Sequence, residues 1–164
     1  MKKILLILMA IFAFGLQNAS AQDGIKIITG HPDFKIQIKR CAASGKTVVI
    51  DMVLSNVGVK DIDEISLYGS PAWGRGEVYD DEGNIYAESN GKKISLQLTN
   101  FKEYRGWIGP FRLLADVPMR LSIRLDDFST TAERIALLKL GVECQQWGLK
   151  DKSITIRNIP ITRD

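Results

Sequence analysis

The sequence predicts an all-β protein, a two-sheet antiparallel sandwich of about eight or nine strands. Three observations predict it. Apolar and polar residues alternate with period two through most of the chain after residue 33, the pattern of strands with one buried face. β-branched residues are frequent in those segments. Gly, Asp and Asn gather between them, where turns are needed.

The elements follow in chain order. Residues 1–21 read as a secretory signal peptide, "MKKILLILMAIFAFGLQNASA". Lys2 and Lys3 precede an apolar run from Ile4 to Leu16, and Ala19-Ser20-Ala21 offers a small-residue cleavage site. The run is shorter than the ~20 residues that cross a bilayer. Cleavage after Ala21 leaves one domain, residues 22–164, bound for the periplasm or the outside of the cell, with no transmembrane segment. It also removes two lysines and no acid, so the formal charge falls from +3 to +1. A chain so close to neutral carries no electrostatic footprint for nucleic acid.

"FKIQIK" alternates Phe34, Ile36 and Ile38 with polar partners, and "TVVIDMVLSN" alternates Val48, Ile50, Met52 and Leu54. Both are strands. Gly45-Lys46-Thr47 between them has the tail of a phosphate-binding loop, but Arg40 stands where the first glycine is required and a strand follows where a helix should. "AASGK" is therefore a hairpin turn with Gly45 at positive φ.

"DIDEISLYG" places Ile65 and Leu67 on one face. "YDDEGNIY" is a hairpin turn between Val78 and Ile85. "KISLQLTN" buries Ile94, Leu96 and Leu98, and "MRLSIRLDDF" buries Met119, Leu121, Ile123 and Leu125. "TAERIALLKLGVEC" reads as a turn at 130–134 and then a strand with Leu138, Leu140, Val142 and Cys144 inward. "SITIRNIPIT" starts with Ile154 and Ile156. Its phase slips at Asn158, so Ile159 and Ile161 turn outward unless a bulge intervenes.

Cys41 and Cys144 are the two cysteines, and in an exported chain an oxidised pair is the expectation. Closing so long a loop would contribute about 4–5 kcal/mol in the chain-entropy model. Cys144 is in phase with its strand's core residues. Cys41 is out of phase with Ile38 and reaches the core only through a bulge near Arg40. Two buried free thiols are the alternative.

The segments "VVIDMVLSN", "YDDEGNIY" and "VPMRLSIRL" with the late strand resemble the immunoglobulin-like β-sandwich domains of small exported bacterial proteins. The resemblance implies a fold and a compartment and no catalytic residues. The chain departs from antibody-type domains, which carry a Tyr two positions before the second Cys. Val142 stands there.

Catalytic chemistry is sparse. His31, in "TGHPDF", is the single histidine, and its Gly and Pro neighbours read as a surface turn rather than a general base. No His or Cys cluster suits zinc. The acidic turn Asp80–Asn84 fails the calcium-loop spacing, and no cofactor or metal is expected. A carboxylate hydrolase using Asp80 with Asp61, Asp63 or Glu64 is a possible chemistry, although no spacing selects a pair. The remaining signal is aromatic and basic residues beside glycines: Trp73 and Arg75 in "GSPAWGRGE", and Tyr104, Arg105 and Trp107 in "NFKEYRGWIGPF". These five are the expected ligand-binding residues, for a protein or glycan partner. The competing reading has the tryptophans plugging the ends of the sandwich. The expected function is a non-enzymatic exported binding or cell-envelope domain, with the hydrolase or a purely structural envelope subunit as alternatives.

Overall fold

The structure is a computed structural model and describes residues 24–69, 76–86, 94–98, 101–102 and 107–163. The expected signal segment 1–21 lies outside them. Among the described residues there is no α-helix, and no helix is long and apolar enough to cross a membrane.

Thirteen strands are present among the described residues: β1 (Lys26–Ile28), β2 (Phe34–Ser44), β3 (Thr47–Asn56), β4 (Ile62–Tyr68), β5 (Glu77–Asp80), β6 (Ile85–Tyr86), β7 (Ile94–Leu98), β8 (Phe101–Lys102), β9 (Trp107–Leu113), β10 (Met119–Leu125), β11 (Arg134–Cys144), β12 (Leu149–Pro160) and β13 (Thr162–Arg163). Eight of them run five residues or more, and all of these but β9 carry the alternation read from the sequence; the other five are short pieces too brief to show a period. One sheet has the order β1-β12-β11-β4-β9, with β5 attached to β11 and β6 to β5. The other has the order β13-β2-β3-β10-β7-β8. The pairing is antiparallel except at the end of the chain, where β13 runs parallel to β2 through Thr162↔Ala42. The chain reaches that position by leaving the first sheet at Pro160. β1 stops at Lys26↔Arg157, so β12 is an edge there and the missing proline N–H costs no ladder bond.

The inner faces of both sheets form one core. Ile50, Leu54, Leu67, Leu138, Ile154 and Ile156 are all fully buried within it. The β2–β3 hairpin turns on Gly45 (φ 56), with Ser44 opposite Thr47, as the sequence predicts.

Two phase slips in the sequence become irregularities in the sheets. In β2 the register with β3 shifts between Ile38 and Arg40. Lys39 and Arg40 both face solvent, and Cys41 turns into the core at 5% exposure. In β12, Asn158 takes a left-handed conformation (φ 60), and Ile159 is fully buried instead of facing out. β11 slips with it: Ile135 pairs with Ile159 and Leu138 with Ile156, all four buried. Matched slips keep the pairing intact while both strands re-enter the core in phase.

The expected disulfide is not formed; Cys41 and Cys144 are buried free thiols. Phase puts both in the core but at opposite ends of it. Cys41 adjoins Ala42 and Ala43, which pair with β13, and Arg163 of β13 donates to the carbonyl of Ala132 just before β11. Cys144 closes β11 at its other end, ten residues beyond Arg134, roughly 33 Å at strand rise. A bridge needs Cα atoms within about 7 Å. Burial pushes the Cys41 thiol up to about 12, against the pull of Arg163 and with a further push from Asp51. Burial likewise raises Cys144. Both are protonated and unreactive in the folded state.

Candidate functional site

The outer face of the β12-β11-β4-β9 sheet carries a groove of about 720 Å³. Its floor is β4. The register of β4 with β9 shifts on either side of Ile65. Glu64 sits at φ 56, so Asp63 and Glu64 both point outward while Ile62 and Ile65 stay in the core. The irregularity is tied down from outside the strand: the Asp63 N–H donates to Oε1 of Gln146 at 2.6 Å, and Arg112 bridges Asp61 and Asp63 at 3.1 and 2.9 Å. Glu64, Ser66 and Tyr68 then line the groove.

Two neighbouring strands supply its walls. Trp107 opens β9 directly opposite Tyr68. Their rings stack at 6.1 Å between centroids and 21° between planes, and both are half-buried. Glu143 of β11 pairs with Ser66, and its Oε2 accepts the Tyr68 hydroxyl at 2.6 Å. That charge-assisted bond fixes the Tyr68 ring beside Trp107. Lys150, in β12, brings an ammonium to the rim. Gly109 lets β9 lie close to β4. Its φ is 138, and a Cβ there would stand 2.6 Å from Ser66 Oγ and 2.7 Å from the Ile65 carbonyl. An aromatic pair, two carboxylates and an ammonium around a cavity of this size suit a small polyhydroxylated ligand. Aromatic faces can stack on the C–H side of a sugar, and charged groups can hydrogen-bond hydroxyls.

Of the five expected binding residues, Trp107 lines this groove. Trp73, Arg75, Tyr104 and Arg105 lie outside the described residues. The described residues flanking their segments are neighbours: Tyr68 precedes Gly69 and pairs with Trp107, and Gly76 is in contact with Gly69. Tyr68, Ser66, Glu143 and Lys150 were not singled out from the sequence. The one available signal was Tyr68, an aromatic at an outward position of a strand whose inward positions are Ile65 and Leu67.

The acidic turn has a structural role. Asp80 is 2% exposed, and its Oδ1 accepts the N–H groups of Glu82 and Asn84 at 3.0 and 2.8 Å. Its Oδ2 accepts Asn84 Nδ2 at 2.8 Å and the Tyr86 hydroxyl at 2.7 Å. Burial alone would raise this carboxyl, but the bonds from Asn84, Tyr86 and the backbone outweigh it and hold Asp80 below the usual carboxylate range. With four donors on its two oxygens, Asp80 staples the β5–β6 turn. His31 is half-buried rather than fully exposed: its ring stacks on Trp147 at 4.9 Å, and its Nδ1 accepts the Asp33 N–H at 3.2 Å.

No protein-family model matches the chain, and no curated protein matches it. Among solved structures, the chain is similar to a family 123 glycoside hydrolase from Clostridium perfringens that acts in glycolipid glycan hydrolysis. The identity is 13%, the coverage 86% of this chain and 27% of that one, and the TM-score 0.39. It is also similar to a GH20 exo-β-N-acetylglucosaminidase from Vibrio harveyi, at 8% identity, 79% of this chain, 18% of that one and a TM-score of 0.37. The chain spans well under a third of either enzyme, and similarity at this level carries no argument about activity.

Proposed function

We propose that this protein is an exported, non-enzymatic binding module of the immunoglobulin-like type whose groove on the β4–β9 face takes a neutral sugar ring. The observation that carries the reading is the stacked Tyr68–Trp107 pair, locked by the Tyr68–Glu143 bond, in the wall of a 720 Å³ groove. Two rigid rings lose little conformational entropy on binding and give a sugar an apolar face to rest on. The groove residues Glu64, Ser66, Tyr68, Trp107, Glu143 and Lys150 stand on four neighbouring strands, so the platform is preorganised. The presence of Glu64 and Glu143 in the same groove favours a second reading, a carboxylate-dependent glycan hydrolase.

A panel of immobilised oligosaccharides separates the two. The binding reading expects retention of one sugar class, with no reducing ends released on prolonged incubation. Release of product that is abolished by Glu143→Gln would establish the hydrolase and overturn the binding reading.

A further inference from the structure

The opposite face of the sandwich carries two adjoining basic depressions, apart from the groove. The irregularity in β2 that turns Cys41 inward leaves Lys39 and Arg40 both outward and adjacent. They border a depression of about 420 Å³ shared with Arg120 of β10. Among the described residues its carboxylate is Asp51, which sits between Arg40 and Ser122 in the register and accepts the Ser122 hydroxyl at 2.6 Å. A second depression of about 390 Å³ adjoins it through Arg40 and runs on to Arg124, over a floor of Ala42 and Val49.

The registers place the cations in a regular order. Arg120 lies in the row of Val53, Arg40 in the row of Asp51, and Arg124 in the row of Val49. Successive rows are two residues apart, about 7 Å along the strands, and β2 and β10 stand about 10 Å apart across β3. With Lys35 and Lys39, this face of β2, β3 and β10 presents five cations against Asp51 and Asp126. Asp126 is engaged by Arg124 at 2.9 Å.

We infer that this trough binds an extended acidic polysaccharide, with Lys39 and Arg40 holding its anionic groups. Charge complementarity over a linear trough calls for a chain of regularly spaced anions. Nucleic acid is disfavoured because the described outward residues of β2, β3 and β10 include no aromatic side chain on which bases could stack. A lipid surface is disfavoured because, among the described residues, the exposed large apolar ones (Ile28, Val57, Val59, Ile85, Leu114 and Val117) all lie off these three strands. Guanidinium and ammonium groups serve carboxylates and sulfates alike.

The test is titration calorimetry at low salt with polygalacturonate, dextran sulfate and single-stranded DNA. Both polysaccharides should bind, and binding should weaken as salt rises. Lys39→Gln/Arg40→Gln should weaken the polysaccharides by about tenfold and lower the salt slope by about one to two counterions. Trp107→Ala, in the other face, should leave this binding unchanged. Both substituted side chains are exposed, so the double variant should keep its melting temperature, and Arg120→Gln provides a second variant that should weaken binding in the same direction. Absence of polysaccharide binding at low salt, unchanged affinity in the double variant, or DNA binding as tight as polygalacturonate would overturn the inference.

Discussion

Replacing Tyr86 by Phe removes one oxygen from the buried hydrogen-bonded cluster around Asp80. Tyr86 is 1% exposed, and its ring stacks on Phe128 at 4.3 Å and 15°. The stack survives the change, so little packing is lost. The hydroxyl donates to Asp80 Oδ2 at 2.7 Å and accepts the Ser129 N–H at 2.9 Å. Burial first, and then the bond to Asp80, push its pKa up to about 12, so it remains the donor across the physiological range. A hydrogen bond to a charged acceptor contributes about 1.5–3 kcal/mol, and stranding the part-buried Ser129 N–H adds about 1. The variant should therefore lose about 2.5–4 kcal/mol, read as a lower urea midpoint at unchanged m. In a cycle with Asp80→Asn, the two losses should couple by about 1–2 kcal/mol. The folded Asp80 carboxyl lies below its unfolded value of about 3.9, so its contribution is present above that pH and is lost as pH falls through the folded value. The penalty of Tyr86→Phe should accordingly be full at neutral pH and shrink in acid. A loss below about 0.5 kcal/mol, or a penalty that grows in acid, would refute the assignment of Asp80 and Tyr86 as the turn's staple.

Two further outcomes are expected. Intact mass should be the same with and without reductant, and two thiols per chain should titrate only after unfolding, because Cys41 and Cys144 are buried at opposite ends of the core. Gly109→Ala should cost about 2–4 kcal/mol, since its Cβ meets Ser66 Oγ and the Ile65 carbonyl at positive φ. The same substitution should also weaken groove binding by displacing β9 from β4.

Period-two alternation carried the long strands, and its failures were informative too. The out-of-phase Cys41 required an irregularity near Arg40, which is where the register with β3 shifts. The slip at Asn158 marked a real distortion, and the left-handed residue there returns Ile159 to the core. Phase says which face a residue takes and nothing about its height along the strand. This is why the bridge expected of an exported chain fails even though both cysteines reach the core: they lie at opposite ends of it. The groove was legible through Trp107 and, as a candidate carboxylate, Glu64. Tyr68, Glu143 and Lys150 occupy outward positions that a sequence gives no reason to separate from solvated ones. They converge through the pairings Tyr68↔Trp107 and Glu143↔Ser66, which join residues far apart in the chain. Asp80 shows the converse. Its acidic turn drew attention as chemistry, but the neighbouring N–H groups and Tyr86 occupy both of its oxygens.

The most direct measurement is titration calorimetry of the sugar retained on the oligosaccharide panel, with the native protein and Trp107→Ala side by side and melting temperatures recorded for both. Trp107 is half-buried at the groove wall and stacks on Tyr68. The variant should lose at least tenfold in affinity, about 1.4 kcal/mol, while its melting temperature falls by only a few degrees. Undiminished affinity in the variant would contradict it, as would a collapse in melting temperature that marks Trp107 as a plug of the core.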